Sequence, residues 1–234
     1  MNALAPVPRS LSHVTDWVFD LDNTLYPRSC NLFAQIDTLI TQYMMDVTRL
    51  DFAEARAVQK SYYRDYGTTL NGLMLRHEVD PDHFLNTVHR IDYSPVDPHP
   101  ALVAAIKALP GRKYILTNGD VGHARAVLDR LGCGSDLFET VFDIRAMSFK
   151  PKPLPEAYAT FFESQGLDAR QAAMFDDLEK NLLVPHEQGM VTVQVVAGEG
   201  FEHEQVDAWE LGRTTGAHVH HVTDDLTRFL TTLD

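Results

Sequence analysis

The second half of the chain constrains the fold most, because helical and strand-like stretches alternate there without a break. Helical periodicity over residues 101–109, 121–131, 155–165 and 178–187 is interleaved with short apolar runs at 113–116, 140–144, 172–175 and 191–196. Parallel strands need a crossover of a dozen or more residues, usually a helix. Strict alternation therefore predicts an α/β fold, a parallel sheet with helices on both faces. In such sheets ligands bind at the carboxyl ends of the strands.

One strand precedes this region and carries the strongest chemical signal. Trp17, Val18, Phe19 and Leu21 favour β structure and are bounded by Asp16 before and by Asn23 and Pro27 after, so the run reads as a buried strand. It ends in Asp20 and Asp22, and residues i and i+2 of a strand face the same side. Two carboxylates sharing a partly dry site repel unless a cation or a shared proton relieves them. A hard divalent cation, most simply Mg2+, suits them. Asp-x-Asp also ends strands and opens turns, so the remaining strand ends must decide.

Between that strand and the alternating region lie four helical patterns and no strand. Leu32, Ile36, Leu39, Ile40, Tyr43, Met44 and Val47 mark one apolar helix face. Asp51 and Asp80-Pro81 open two more helices, and Leu70, Leu73, Met74 and Leu75 mark another. The expected organisation is an N-terminal flexible tail at 1–15, an α/β core formed by 16–27 and 98–234, and a helical insert at 28–97.

The other strand ends are polar. The run before Thr117-Asn118-Gly119-Asp120 places a hydroxyl, an amide and a glycine just ahead of a helix, either an anion cradle or an ordinary capped turn. The run at 172–175 ends in Asp176-Asp177, and Lys150-Pro151-Lys152-Pro153 precedes a helix that Pro155 can start.

Together these four pieces resemble the haloacid dehalogenase superfamily of phosphohydrolases over roughly residues 16–196. Residues 20–24, DLDNT, are similar to its first motif, Thr117-Asn118 to its second, Lys152-Pro153 to its third and Asp176-Asp177 to its fourth. Counting from Lys150 instead would displace Glu156 and Tyr158 from the third-motif pattern. Leu25-Tyr26-Pro27 and Gly72-Leu73 resemble the pyrimidine 5′-nucleotidase branch. The resemblance implies a Rossmann-like parallel sheet core with a helical cap after the first strand. It also implies a Mg2+-dependent phosphatase of small phosphate monoesters, with nucleoside 5′-monophosphates expected and pyrimidine ones preferred. It makes Asp20 the nucleophile, Asp22 the acid and base, and Lys152 the compensating charge. Thr117 and Asn118 would bind phosphoryl oxygens. Asp20, Asp22 through its backbone carbonyl, and Asp177 would hold Mg2+, with Asp176 supporting them or acting through water.

Other activities use parts of the same set. A phosphomutase on sugar phosphates needs the same acids, a carbon–halogen dehalogenase needs only the nucleophile, and a non-catalytic regulatory protein could keep the scaffold. The formal charge of −13 and pI near 5.2 oppose a nucleic-acid polymer or an anionic membrane as partner and leave a small phosphorylated metabolite. The two cysteines, Cys30 and Cys133, form no framework, and no signal-like apolar run opens the chain, so a cytoplasmic location is expected. His218, His220 and His221 lack a metal-ligand spacing. Arg64, Arg76 and His77 read as a solvated helix face, and residues 201–213 as an irregular excursion.

Overall fold

The computed structural model describes residues 9–134, 136–198 and 216–233. Among them, six strands form one sheet: β1 (Asp16–Phe19), β2 (Arg112–Leu116), β3 (Thr140–Phe142), β4 (Ala172–Asp176), β5 (Val191–Val195) and β6 (His221–Thr223). All pairings are parallel, in the order β3-β2-β1-β4-β5-β6. This is the Rossmann-like α/β architecture that the alternating pattern predicts. The strand order reverses between β1 and β4, which creates a crevice at their carboxyl ends. Phe19 is level with both Ile115 and Phe175, and the Asp20 N–H still bonds Phe175 O at 2.8 Å. Asp20 and Asp176 therefore lie side by side at the carboxyl edge of the sheet.

Burial explains why these short segments pair. Every residue of β1, β4 and β5 is buried, as expected of parallel strands covered on both faces. Phe19 stacks on Phe175 with ring centroids 4.7 Å apart, and truncating such a core phenylalanine costs about 3–5 kcal/mol. At the opposite end of β1, Trp17 donates its Nε1–H to Pro110 O at 2.7 Å and Asp16 pairs with Arg112 at 2.6 Å.

Contacts divide the chain into two compact units, Cys30–Pro95 and the rest. The first holds helices α1 (Leu32–Thr48), α2 (Phe52–Tyr66), α3 (Thr69–His77) and α4 (Pro81–Val88). Asp51 and Glu54 form a reciprocal capping box on α2, and Asp80 caps α4 ahead of Pro81. Asp37, buried on α1, pairs with Arg56 at 2.6 Å and accepts from Gln59 at 2.6 Å. A Cβ on Gly72 would overlap the Tyr62 ring, so α3 approaches α2 closely only with glycine there. The other unit carries α5 (Pro100–Ala108), α6 (Val121–Leu131), α7 (Pro155–Gln165), α8 (Leu183–Glu187) and α9 (Leu226–Thr231). Among the described residues no helix is long and apolar enough to cross a membrane.

Four expectations change. The expected tail at 1–15 is packed over its described part, because Leu11 (9% exposed) and Val14 (2%) are buried and Arg9 donates to Gly189 O at 2.8 Å. The expected helix at 178–187 is a 3-10 turn (Glu179–Leu182) followed by α8, since Pro185 has no N–H and fits only in a helix's first turn. β1 stops at Phe19, so Asp20 and Asp22 lie in the turn beyond it. Finally, β6 and α9 extend the fold past the last expected strand, with His221 in β6 and His220 Nδ1 accepting from Thr192 N–H at 3.1 Å. Residues 201–213 lie outside the described residues.

Candidate active site

The crevice gathers the polar side chains that sequence placed at the strand ends. After β1 the chain turns sharply through Asn23 in the left-handed region (φ 59), which asparagine tolerates better than most residues. Thr24 Oγ1 donates back to Asp20 Oδ2 at 3.2 Å. Asp20, Asp176 and Asp177 are all buried, and each offers a carboxylate oxygen within 4.8 Å of the others.

Lys152 enters this cluster from the loop before α7 and is 1% exposed. Its Nζ lies 2.7 Å from Asp20 Oδ1 and 2.7 Å from Asp176 Oδ2. The loop is held by Asn118, whose amide donates to Lys152 O at 3.0 Å and accepts from Lys152 N–H at 2.8 Å. The Asn118 side chain thus fixes the lysine loop, a role the sequence reading did not foresee. Lys150, by contrast, is more than half exposed, 4.0 Å from Glu156. Thr117 is buried at the end of β2, its Oγ1 accepting from Gly119 N–H at 3.0 Å.

Burial and like charge dominate the electrostatics. Desolvation raises the Asp20 carboxyl to about 7; Lys152 pulls it down, while Asp176 and Asp22 add to the rise. Asp177 is pushed well above the carboxylate range by burial and then by Asp176 and Asp20, even though Arg28 sits 2.6 Å from its Oδ2. Lys152 is raised, because Asp176 and Asp20 outweigh its own desolvation. Among the described residues, Lys152 and Arg28 leave this group of three carboxylates under-compensated. A hard divalent cation, which takes several oxygen ligands, fits the donor set.

Sequence reasoning missed three residues here. Arg28 directly follows Pro27, and its ion pair with Asp177 crosses 149 residues of sequence, so only the fold reveals it. Tyr26 and His123 both bond Asp22 Oδ1, at 2.5 and 2.7 Å. His123 carried a readable signal, since it falls in the buried stripe Ala124, Val127, Leu128 and Leu131 of α6. Burial lowers its pKa, but the charge and hydrogen bond of Asp22, with Asp120 and Asp20, more than reverse that and hold it above the ordinary value.

Residues 18–183 match the haloacid dehalogenase-like hydrolase family. The chain belongs to that family. It is 26% identical over 207 residues to phosphate metabolism protein 8 of Saccharomyces cerevisiae, covering 80% of this chain and 64% of that protein's length. Among solved structures, the hydrolase YfnB of Bacillus subtilis, bound to magnesium, superimposes with a TM-score of 0.56 at 13% identity, covering 94% of this chain and 99% of that one. CbbY of Rhodobacter sphaeroides, in complex with phosphate, gives 0.60 at 14% identity, covering 92% and 96%. L-2-haloacid dehalogenase of Xanthobacter autotrophicus gives 0.54 at 16%, covering 93% and 97%. At these identities the structures speak to the fold, and the chemistry of this hydrolase must come from its own residues.

Proposed function

We propose that the protein is a Mg2+-dependent phosphatase of small phosphate monoesters, acting through an aspartyl-phosphate on Asp20. The observation that carries this reading is the pair of acids in one turn. Asp20 lies against Lys152 and the carboxylate cluster, while Asp22, two residues on, is held by Tyr26 and His123. A dehalogenase needs no second acid, whereas ester cleavage needs a proton for the departing oxygen.

In the proposed first step an Asp20 oxygen attacks phosphorus, the bond to the leaving oxygen breaks, and Asp22 protonates that oxygen. In the second step water attacks phosphorus as Asp22 takes its proton, and phosphate and free Asp20 result. Lys152 offsets charge on Asp20 and on the transferring group. Thr117 and the backbone N–H of Asn118 hold phosphoryl oxygens, the Asn118 amide being engaged with Lys152. Asp20, Asp177 and the backbone carbonyl of Asp22 would hold Mg2+, with Asp176 set back against Lys152 and Asn181. When bound, that ion neutralises charge developing on the phosphoryl group. The magnesium and phosphate bound to the structural relatives support this assignment.

Nucleoside 5′-monophosphates, pyrimidine ones preferred, are the proposed substrates, supported by Leu25-Tyr26-Pro27 and Gly72-Leu73. The test is phosphate release across nucleoside monophosphates, sugar phosphates and an aryl phosphate, with Mg2+ or with chelator. Sugar phosphates exceeding every nucleotide in kcat/KM would overturn the substrate class. Isomerised sugar phosphate in place of free phosphate would make the protein a mutase.

A further inference from the structure

Asp22 is held at one oxygen by two donors that have no part in binding phosphate or metal. The Tyr26 hydroxyl reaches Oδ1 from the same turn, and His123 Nε2 reaches it from the first turn of α6. Both donors are buried, Tyr26 2% exposed and His123 1%. Each is placed rigidly. Tyr26 follows Leu25, itself buried with its N–H on Leu21 O at 3.0 Å, and the His123 N–H bonds the capping carboxylate of Asp120 at 2.7 Å. Gly119 leaves the room that the imidazole uses, since a Cβ there would stand 3.2 Å from His123 Cδ2.

A carboxyl that serves as acid and then as base must present a defined oxygen to the leaving group. Two buried donors on Oδ1 fix that atom and with it the orientation of the carboxyl. Oδ2 lies on the side of the Thr117–Gly119 turn, to which the phosphatase reading assigns the phosphoryl oxygens, 3.8 Å from where a Gly119 Cβ would be. We propose that His123, seconded by Tyr26, is the positioning residue for the general acid of this enzyme: it fixes the Asp22 carboxyl so that Oδ2 delivers the proton to the departing oxygen. The proposal rests on the phosphatase reading and on Asp22 as its acid. In the step itself the proton leaves Asp22 Oδ2 for the ester oxygen as the phosphorus–oxygen bond breaks, and the Nε2–H of His123 stays on the imidazole.

A buried histidine that merely satisfied a carboxylate would affect all substrates alike. A positioning residue for the acid affects them according to leaving group, because an alkoxide departs only with a proton and p-nitrophenolate departs without one. The experiment compares kcat/KM for p-nitrophenyl phosphate with that for the best alkyl phosphate of the screen, in wild type, His123→Leu, His123→Gln and Tyr26→Phe, each at saturating Mg2+. His123→Leu should lower the alkyl value about 10²-fold and the aryl value less than tenfold. Glutamine, whose amide N–H can reach the same oxygen, should recover most of the alkyl loss. Tyr26→Phe should shift the ratio in the same direction by a smaller factor. Equal losses on both esters in variants that melt cooperatively, or glutamine no better than leucine, would overturn the proposal. If His123→Leu does not fold, equal losses in Tyr26→Phe do so. Wild-type protein that releases phosphate from neither ester would remove the phosphatase reading and the assignment of the acid with it.

Discussion

Replacing Lys152 by alanine removes a buried ammonium that contacts both Asp20 and Asp176, at 2.7 Å each. Two losses follow. In the ground state, three carboxylates within 4.8 Å lose a buried partner, and breaking a buried pair by removing one member costs about 3–5 kcal/mol. For a chain of this length that corresponds to a fall in Tm of roughly 6–20 °C. In the transition state, one preorganised donor aimed at developing charge is worth about 10²–10³ in kcat. Lys150→Ala removes only an exposed pair at 4.0 Å from Glu156, worth about 0–1 kcal/mol, and should leave kcat within about twofold. The assay is phosphate release at saturating Mg2+ and at a temperature well below both melting points, alongside thermal unfolding of the metal-free proteins. A Lys152→Ala protein retaining more than a tenth of wild-type kcat, or a Lys150→Ala protein hit harder than it, would refute the assignment of the third motif.

A carboxyl whose folded pKa is raised binds its proton more tightly in the native state, so Asp20, raised from 3.8 to about 7, favours folding below about pH 4 and loses that contribution as pH climbs through 7; Asp177 acts in the same direction. His123, also raised, adds stability below its ordinary 6.5 that is lost above it. The metal-free Tm should therefore fall between pH 5 and 8. Mg2+ at about a hundred times its Kd should add about 2.7 kcal/mol, roughly 5–10 °C, with a larger effect at pH 8 than at pH 5; an equal or inverted effect would show that the acidic cluster does not bind the ion. In the helical unit, Asp37→Leu strands Arg56, which is partly exposed, and should cost about 2–3 kcal/mol in urea unfolding; a change under about 0.5 kcal/mol would show that the pair is solvated.

What could be read from sequence followed from local rules acting in register. Alternating elements gave the parallel sheet, capping residues such as Asp51 and Asp80 gave the insert's helices, and apolar strands ending in acids gave the acidic edge of the crevice. Lys152 was set apart from Lys150 by the third-motif pattern that runs on to Glu156 and Tyr158, and Pro155, which starts α7, agreed with it. Two of the three site residues that escaped, Arg28 and His123, have partners distant in sequence, whereas Tyr26 bonds Asp22 from only four residues away. His123 reaches Asp22 across 101 residues, and neither segment carries a spacing that names the other. Asn118 was readable as a polar residue at a strand end, but its bond to the Lys152 backbone depends on how β2 and the loop before α7 lie side by side. β6 was missed for another reason: its three residues alternate too briefly to show a period, and its place is set by pairing with β5.

Phosphorylation of Asp20 is the step on which the proposed chemistry turns, and it can be trapped. The Mg2+-loaded enzyme is mixed with its best substrate, quenched in acid within the first turnover, digested and analysed by mass spectrometry. The peptide containing Asp20 should be one phosphoryl group heavier, hydroxylamine should discharge the label, and Asp20→Asn should show neither label nor turnover. Turnover without label at Asp20, or turnover retained by Asp20→Asn, would contradict the proposed chemistry.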